Sequence, residues 1–86
     1  MSFQLVLYTK QNCHLCEDAK AALELLQEGI SFELIELDIT EKDEWMEKYG
    51  LYIPVVEWQG EVIQYGQIVA EEVKKFINRK ILLSNG

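Results

Sequence analysis

Two cysteines, Cys13 and Cys16, are the residues of this sequence whose type and spacing could do chemistry. They are the only cysteines in the chain, and they lie two residues apart within the segment YTKQNCHLCEDAKAAL, residues 8–23. Two thiols at this spacing can form a structural clip, supply half of a metal site, or act as a reversible dithiol. A static clip is disfavoured because disulfide-stapled small proteins carry four or more cysteines.

The predicted position of the cysteines favours the reversible dithiol. An apolar run ends near Thr9 and a helical pattern begins near Cys13, which places Cys13 at a helix N-terminus. Free amide groups and the helix dipole stabilise a thiolate there, and the thiolate is the nucleophilic form. Cys16 lies one turn along the same face, about 5–6 Å away at Cβ, which suits a disulfide. In the predicted cycle, Cys13 attacks a substrate disulfide and Cys16 then resolves the mixed disulfide.

Charged neighbours act on this thiolate in both directions. Lys10 and a protonated His14 would stabilise it, whereas Glu17 and Asp18 would oppose it through like charge. We expect His14 to tune the redox potential or to face solvent.

The remaining sequence predicts the elements that position the dithiol, in the order βαβαββα. A strand over residues 3–9 and an amphipathic helix over 14–27 precede a second strand over 31–39, which is expected to be buried on both faces or to carry a bulge. Thr40 and Asp43 form a predicted capping box before a helix that ends at Gly50. A hairpin follows, with strands at 55–58 and 62–65 around a Gln59-Gly60 turn. The last helix carries Glu71 and Glu72 early and its basic residues late, as the helix dipole favours.

Length and charge limit the classes of function. The 86 residues are predicted to form one domain, residues 1–86, and the formal charge of −7 argues against nucleic acid as a partner. We expect no membrane span and no secretory signal, and therefore a cytoplasmic protein.

Three segments together resemble the glutaredoxin branch of the thioredoxin superfamily. These are Tyr8-Thr9-Lys10, the Cys13-His14-Leu15-Cys16 motif, and YIPVV at residues 52–56. The resemblance implies an α/β thioredoxin fold, with a four-stranded mixed sheet flanked by helices. It also implies a cis peptide bond before Pro54, with Pro54 against the dithiol, and it implies that Pro54 and the backbone groups of Ile53 dock an extended substrate or glutathione. Lys10 matches a position that contacts the glutathione carboxylate, and His14 and Leu15 lie in the dithiol motif beside the substrate.

The sequence departs from the family pattern at two places. Proline and tyrosine usually separate the family's cysteines, where this chain has His14 and Leu15. The paired glycines that hold part of glutathione are replaced by Gln64 and Tyr65. The pattern is therefore nearer to glutaredoxin-like proteins, or to short glutaredoxins reduced by thioredoxin reductase.

We therefore predict a glutaredoxin-like thiol–disulfide oxidoreductase that reduces protein or glutathione mixed disulfides. It would act as a monomer with no bound cofactor and would receive electrons from glutathione or from thioredoxin reductase. Two alternatives remain open. Two subunits could pool their thiolates around zinc or an iron–sulfur cluster. A redox-silent interaction module could instead bind partners through Tyr8, Tyr52 and Trp58, although aromatic residues spread over strands more often belong to the core.

Overall fold

The computed structural model describes residues 3–85, and side chains up to residue 82. Its strands and helices follow one another in the predicted order βαβαββα. The helices are α1 (His14–Leu26), α2 (Asp43–Tyr49) and α3 (Ala70–Asn85), and a 3₁₀ turn spans Ile39–Glu41. The strands are β1 (Gln4–Thr9), β2 (Glu33–Asp38), β3 (Val55–Trp58) and β4 (Glu61–Tyr65). None of the helices in the described part is both long and apolar enough to cross a membrane.

The strands form one mixed sheet in the order β2-β1-β3-β4. β1 pairs with β2 in parallel from Gln4↔Glu33 to Thr9↔Asp38, whereas β1–β3 and β3–β4 are antiparallel. The C-terminal ends of β1 and β2 and the first residue of β3 therefore lie at the same end of the sheet. α1 starts at this end, because it follows directly from β1 through a short loop. The mixed sheet and its flanking helices confirm the predicted fold class.

Alternate residues of β1 supply the two apolar layers on either face of the sheet. Leu5 and Leu7 are fully buried against Leu23 of α1 and Ile77 of α3. Tyr8 points to the opposite face, in the layer built around Ile39, Tyr49 and Val55. This alternation follows from the two-residue period of a strand that is buried on both sides. β1 is thus packed on both faces directly before residues 10–13, the cysteine loop, which leads into α1.

β2 does not have the double burial that its apolar pattern predicts. It is the edge strand of the sheet, and Ile35 remains 36% exposed. Its register with β1 is continuous, so it carries no bulge either. The irregularity lies instead between β3 and β4, where Glu57 pairs with Val62 and Ile63 is skipped. The prediction failed because local hydrophobicity does not report whether a strand has one neighbour or two.

The predicted capping box is also wrong. Lys42 is the N-cap of α2 and makes no side-chain cap hydrogen bond. Thr40 is used one element earlier, where its backbone N–H donates to Asp38 Oδ1 at 2.9 Å and Asp38 caps the 3₁₀ turn. An aspartate side chain readily accepts a hydrogen bond from the backbone N–H two residues later, and Asp38 does so here.

The two remaining local predictions had different outcomes. Gln59 and Gly60 both have positive φ, at 51° and 81°, which is the conformation of a two-residue hairpin turn. The hairpin prediction is therefore confirmed. The last turn of α3 contains no basic residue, because the helix runs on to Asn85 and leaves the lysines and arginine nearer its middle. The predicted dipole arrangement at its C-terminus is therefore wrong.

Candidate active site

Cys13 and Cys16 form a disulfide at the start of α1. Cys13 is the N-cap of the helix, in extended conformation, and the two Cα atoms lie 5.2 Å apart. The backbone N–H of Cys16 donates to Cys13 Sγ over 3.1 Å. The helix N-terminus therefore offers a hydrogen-bond donor to the sulfur that would carry negative charge in the reduced state. This is the position that the sequence predicts for Cys13.

The two sulfur atoms differ in their access to solvent. The Cys13 side chain is half-buried, whereas Cys16 is only 4% exposed. Cys16 lies above Ala19 and Leu23, which continue the buried face of α1 into the core. A molecule that approaches from solvent would therefore reach Cys13 before Cys16.

The loop before Cys13 positions the predicted charged and apolar neighbours. Asn12 has a φ of 59°, a left-handed conformation that asparagine tolerates better than most residues. Lys10 is exposed on this loop and borders the clefts on both sides of it. His14 and Leu15 are exposed at the first turn of α1, Leu15 by 47%. All three therefore lie around the disulfide on the solvent side.

The segment before β3 lies at the same end of the sheet as the cysteines. The Ile53-Pro54 peptide bond is cis, as the resemblance implies, and Pro54 is fully buried. Tyr8 pairs with Val55, which brings the start of β3 beside the end of β1. The Ile53 N–H is already used, because it donates to the Tyr49 carbonyl at 3.1 Å. An extended substrate would therefore meet the Ile53 carbonyl and not its N–H.

Two clefts flank the cysteine loop. The first, of about 600 Å³, lies between the loop, the first turn of α1 and the end of β2, and both cysteines line it. The second, of about 530 Å³, lies towards α2 and is lined in part by Met46 and Leu51. The contribution of β2 to the first cleft depends on the parallel pairing with β1, and sequence reasoning missed it.

A buried carboxylate under α2 was also missed. Glu57 on β3 is 5% exposed and accepts a hydrogen bond from the Tyr49 hydroxyl. The Tyr8 ring stacks on Tyr49 with centroids 4.1 Å apart. Burial, followed by the hydrogen bond to Glu57, raises the pKa of Tyr49 above its ordinary value, and burial also raises the pKa of Tyr8. This cluster lies on the α2 face of the sheet, whereas Cys16 packs on the α1 face.

The aromatic surface proposed for an interaction module does not form. Tyr8 is in the core, and Trp58 packs on Phe3 and Phe76 at the far end of β3. Of the three aromatic residues named for it, Tyr52 is the exposed one, at 49%. In the described residues, no group of three or more histidine, cysteine, aspartate or glutamate side chains is placed to hold a metal ion.

Comparison with known proteins agrees with this geometry. The sequence model of a family described as the glutaredoxin-like domain matches residues 4–82. A structural-genomics target protein from X. campestris is similar in structure, with a TM-score of 0.73 and 25% identity over 87% of this chain and 96% of the other. A protein from Nitrosomonas europaea gives a TM-score of 0.77 at 24% identity, covering 88% of this chain and 92% of the other. Thioredoxin 1 from Thermosipho africanus gives 0.71 at 15% identity, covering 96% and 99%. The shared fold and the Cys13–Cys16 pair support a redox function in general.

Proposed function

Because the chain belongs to the glutaredoxin-like domain family, we propose that it is a thiol–disulfide oxidoreductase that reduces disulfides through Cys13 and Cys16. One observation carries the proposal. A half-buried cysteine at a helix N-cap accepts the amide hydrogen bond of its own disulfide partner, and that partner is buried one turn below. This arrangement supports the proposal that Cys13 is the nucleophile and Cys16 the resolving thiol.

The reaction proceeds by two exchanges. In the reduced protein, the Cys13 thiolate attacks one sulfur of the substrate disulfide, and the other substrate sulfur leaves as a thiolate that takes up a proton. The Cys16 thiolate then attacks Cys13 Sγ and releases the second substrate thiol. Two electrons pass from the Cys13–Cys16 pair to the substrate, and the protein returns to the disulfide form seen in the structure.

The surrounding residues support these exchanges. The Ile53 carbonyl, held beside the buried Pro54, would bond an extended substrate backbone. Lys10 would stabilise the Cys13 thiolate or an acidic group on the substrate. His14 and Leu15 would contact the substrate directly, because both are exposed next to Cys13. No bound cofactor is required for this chemistry, since the Cys13–Cys16 dithiol carries the two electrons and an external donor, either glutathione or thioredoxin reductase, restores them.

The choice of electron donor tests the proposal. It also shows whether the protein is reduced by glutathione or by thioredoxin reductase. The oxidised protein is mixed with reduced glutathione, or with NADPH and thioredoxin reductase, and regeneration of the Cys13–Cys16 dithiol is followed over time. Reduction by one of these donors, with turnover of a disulfide substrate, is the expected result. A Cys13→Ser variant serves as the control and should show no turnover. If neither donor reduces the protein and no substrate is turned over, the proposal is wrong.

A further inference from the structure

The first cleft beside the disulfide is acidic. Its walls carry four carboxylates and two ammonium groups. The carboxylates come from α1, β2 and the 3₁₀ turn, and they are Glu17, Glu36, Asp38 and Glu41. Hydrogen bonds from Thr40 lower the pKa of Asp38, so this group stays ionised at neutral pH. The negative charge therefore lies in the same cleft as the two sulfur atoms.

The two lysines of the cleft compensate only part of this charge. Lys20 is paired with Glu36, with Nζ 3.6 Å from Oε2, and this ion pair is neutral overall. Lys10 is then the remaining cation facing Glu17, Asp38 and Glu41. A disulfide that enters beside Cys13 therefore approaches a net negative wall. The formal charge of −7 on the whole chain has the same sign and extends this effect over a longer range.

Apolar side chains are also exposed next to the disulfide and in the second cleft. Leu15 is 47% exposed in the first turn of α1, and in sequence it lies between the two cysteines. Leu51 is 94% exposed and lines the second cleft together with Met46. Leu15, which is exposed next to the disulfide, suits the apolar side chains of a polypeptide substrate better than it suits glutathione.

We infer that the preferred substrate of the Cys13–Cys16 dithiol is a polypeptide disulfide flanked by basic side chains. The inference rests on the proposed function and specifies its substrate class. Basic flanking residues would face the acidic cleft. Glutathione disulfide, which carries more carboxylates than ammonium groups, would meet like charge and react more slowly.

The reaction on such a substrate balances without any other reactant. The reduced protein gives two electrons and two protons to the polypeptide disulfide, which becomes two thiols, and Cys13 and Cys16 form their disulfide. A single-turnover experiment can therefore use reduced protein from which all reductant has been removed. The second-order rate constant is measured for three disulfide-linked peptides of equal length, flanked by lysine, glutamate or glutamine, and for glutathione disulfide.

Each rate constant is divided by the rate constant of the same disulfide with dithiothreitol. This uncharged dithiol corrects for the intrinsic reactivity of each disulfide. We expect the corrected rate for the lysine peptide to exceed that for the glutamate peptide by about tenfold at low ionic strength, because electrostatic steering raises on-rates by at least this factor. In about 1 M salt, where the Debye length is about 3 Å, the ratio should approach one.

A pair of matched variants locates the effect. Glu17→Gln with Glu41→Gln removes two charges from the cleft, and the lysine-to-glutamate ratio should fall by about threefold. Glu24→Gln with Glu28→Gln removes the same charge from exposed positions towards the other end of α1 and should leave the ratio unchanged. The glutamine peptide reports any general change in the reactivity of Cys13.

The outcomes separate the inference from the proposed function. If all the peptides are reduced at equal corrected rates at low salt, or if glutathione disulfide reacts fastest, the substrate inference is overturned and the oxidoreductase remains. An equal loss of preference in both variant pairs would overturn the role of the cleft. If none of the disulfides is reduced, the proposed function itself fails.

Discussion

At the residue scale, the chemistry depends on the different environments of the two sulfur atoms. Cys13 accepts a hydrogen bond from the Cys16 amide and is half-buried, whereas Cys16 is 4% exposed and packs towards Leu23. An amide donor and the positive end of a helix dipole stabilise a thiolate, and burial among apolar groups opposes one. These environments favour the nucleophilic role that we propose for Cys13.

We predict that the pKa of the Cys13 thiol in the reduced protein is below the free-thiol value of about 8.5. The measurement is the pH dependence of alkylation in a Cys16→Ser variant, in which Cys13 is the remaining thiol. Cys16 in a Cys13→Ser variant is the matched comparison, and it should react more slowly because it is buried. A pKa for Cys13 at or above the free-thiol value would contradict the role of the helix terminus.

At the element scale, Tyr49 connects α2 to the segment directly before β3. Its carbonyl accepts hydrogen bonds from the N–H groups of Tyr52 and Ile53, at 2.8 and 3.1 Å. Its hydroxyl donates to Glu57 on β3. The loop that carries Ile53 and Pro54 is thus held on both sides by one residue, and β3 starts at a defined place beside β1.

The β3–β4 hairpin allows a sharp test of backbone conformation. Gly60 has a φ of 81°, and a Cβ atom added there would meet nothing within 4 Å. Gly60→Ala should lower the free energy of unfolding by about 1–2 kcal/mol. The cost comes from holding alanine in the left-handed conformation, since the added Cβ atom makes no clash. Gly29 also has open space for a Cβ atom but lacks a positive φ.

Gly29→Ala is therefore the matched control for the hairpin, and it should be neutral or stabilising by up to about 1 kcal/mol. Denaturant unfolding of both variants provides the comparison. Equal effects of the two substitutions would show that the turn conformation at Gly60 does not matter for stability.

At the scale of the whole molecule, the buried tyrosines predict how stability depends on alkaline pH. The pKa values of Tyr49 and Tyr8 are both raised above their ordinary value of 10.0 in the folded protein. The unfolded chain releases these protons first, so the folded state binds more protons above about pH 10. Stability from these groups is fully present below that pH and is lost as the pH rises above it.

In Tyr49→Phe, the free energy of unfolding should therefore fall less steeply above about pH 10. The variant lacks one of the two hydroxyl protons that the folded protein keeps and the unfolded chain releases. At neutral pH the same variant should be less stable by about 1–3 kcal/mol, since the buried Glu57 loses its hydrogen bond. Tyr65→Phe, at a ring that is 60% exposed, should change stability by less than about 0.5 kcal/mol. Unfolding free energies measured across this pH range provide the test, and an unchanged slope in Tyr49→Phe would contradict the account.

The same scale explains which features could be predicted from sequence. The element order, the position of Cys13 at a helix N-terminus and the Gln59-Gly60 turn depend on neighbouring residues, and all three are confirmed. The cis bond before Pro54 came from the resemblance and is also confirmed. The edge position of β2 depends on strand order, which short-range patterns do not contain.

Features that join distant segments were missed for the same reason. The burial of Glu57 requires the Tyr49 hydroxyl from another element, and nothing in the local sequence around Glu57 predicts it. The carboxylates of β2 reach the cleft of Cys13 only through the parallel pairing of Thr9 with Asp38. The roles of Lys10 and Ile53 in substrate binding stay predictions.

The central claim is that Cys13 attacks and Cys16 resolves, and trapping the intermediate tests it most directly. Reduced Cys16→Ser is mixed with a peptide disulfide, and the product is identified by mass and by peptide mapping. We predict a stable mixed disulfide on Cys13, because the thiol that would release it is missing. A protein that stays unmodified, or a Cys13→Ser variant that forms the adduct on Cys16 as fast, would contradict the account.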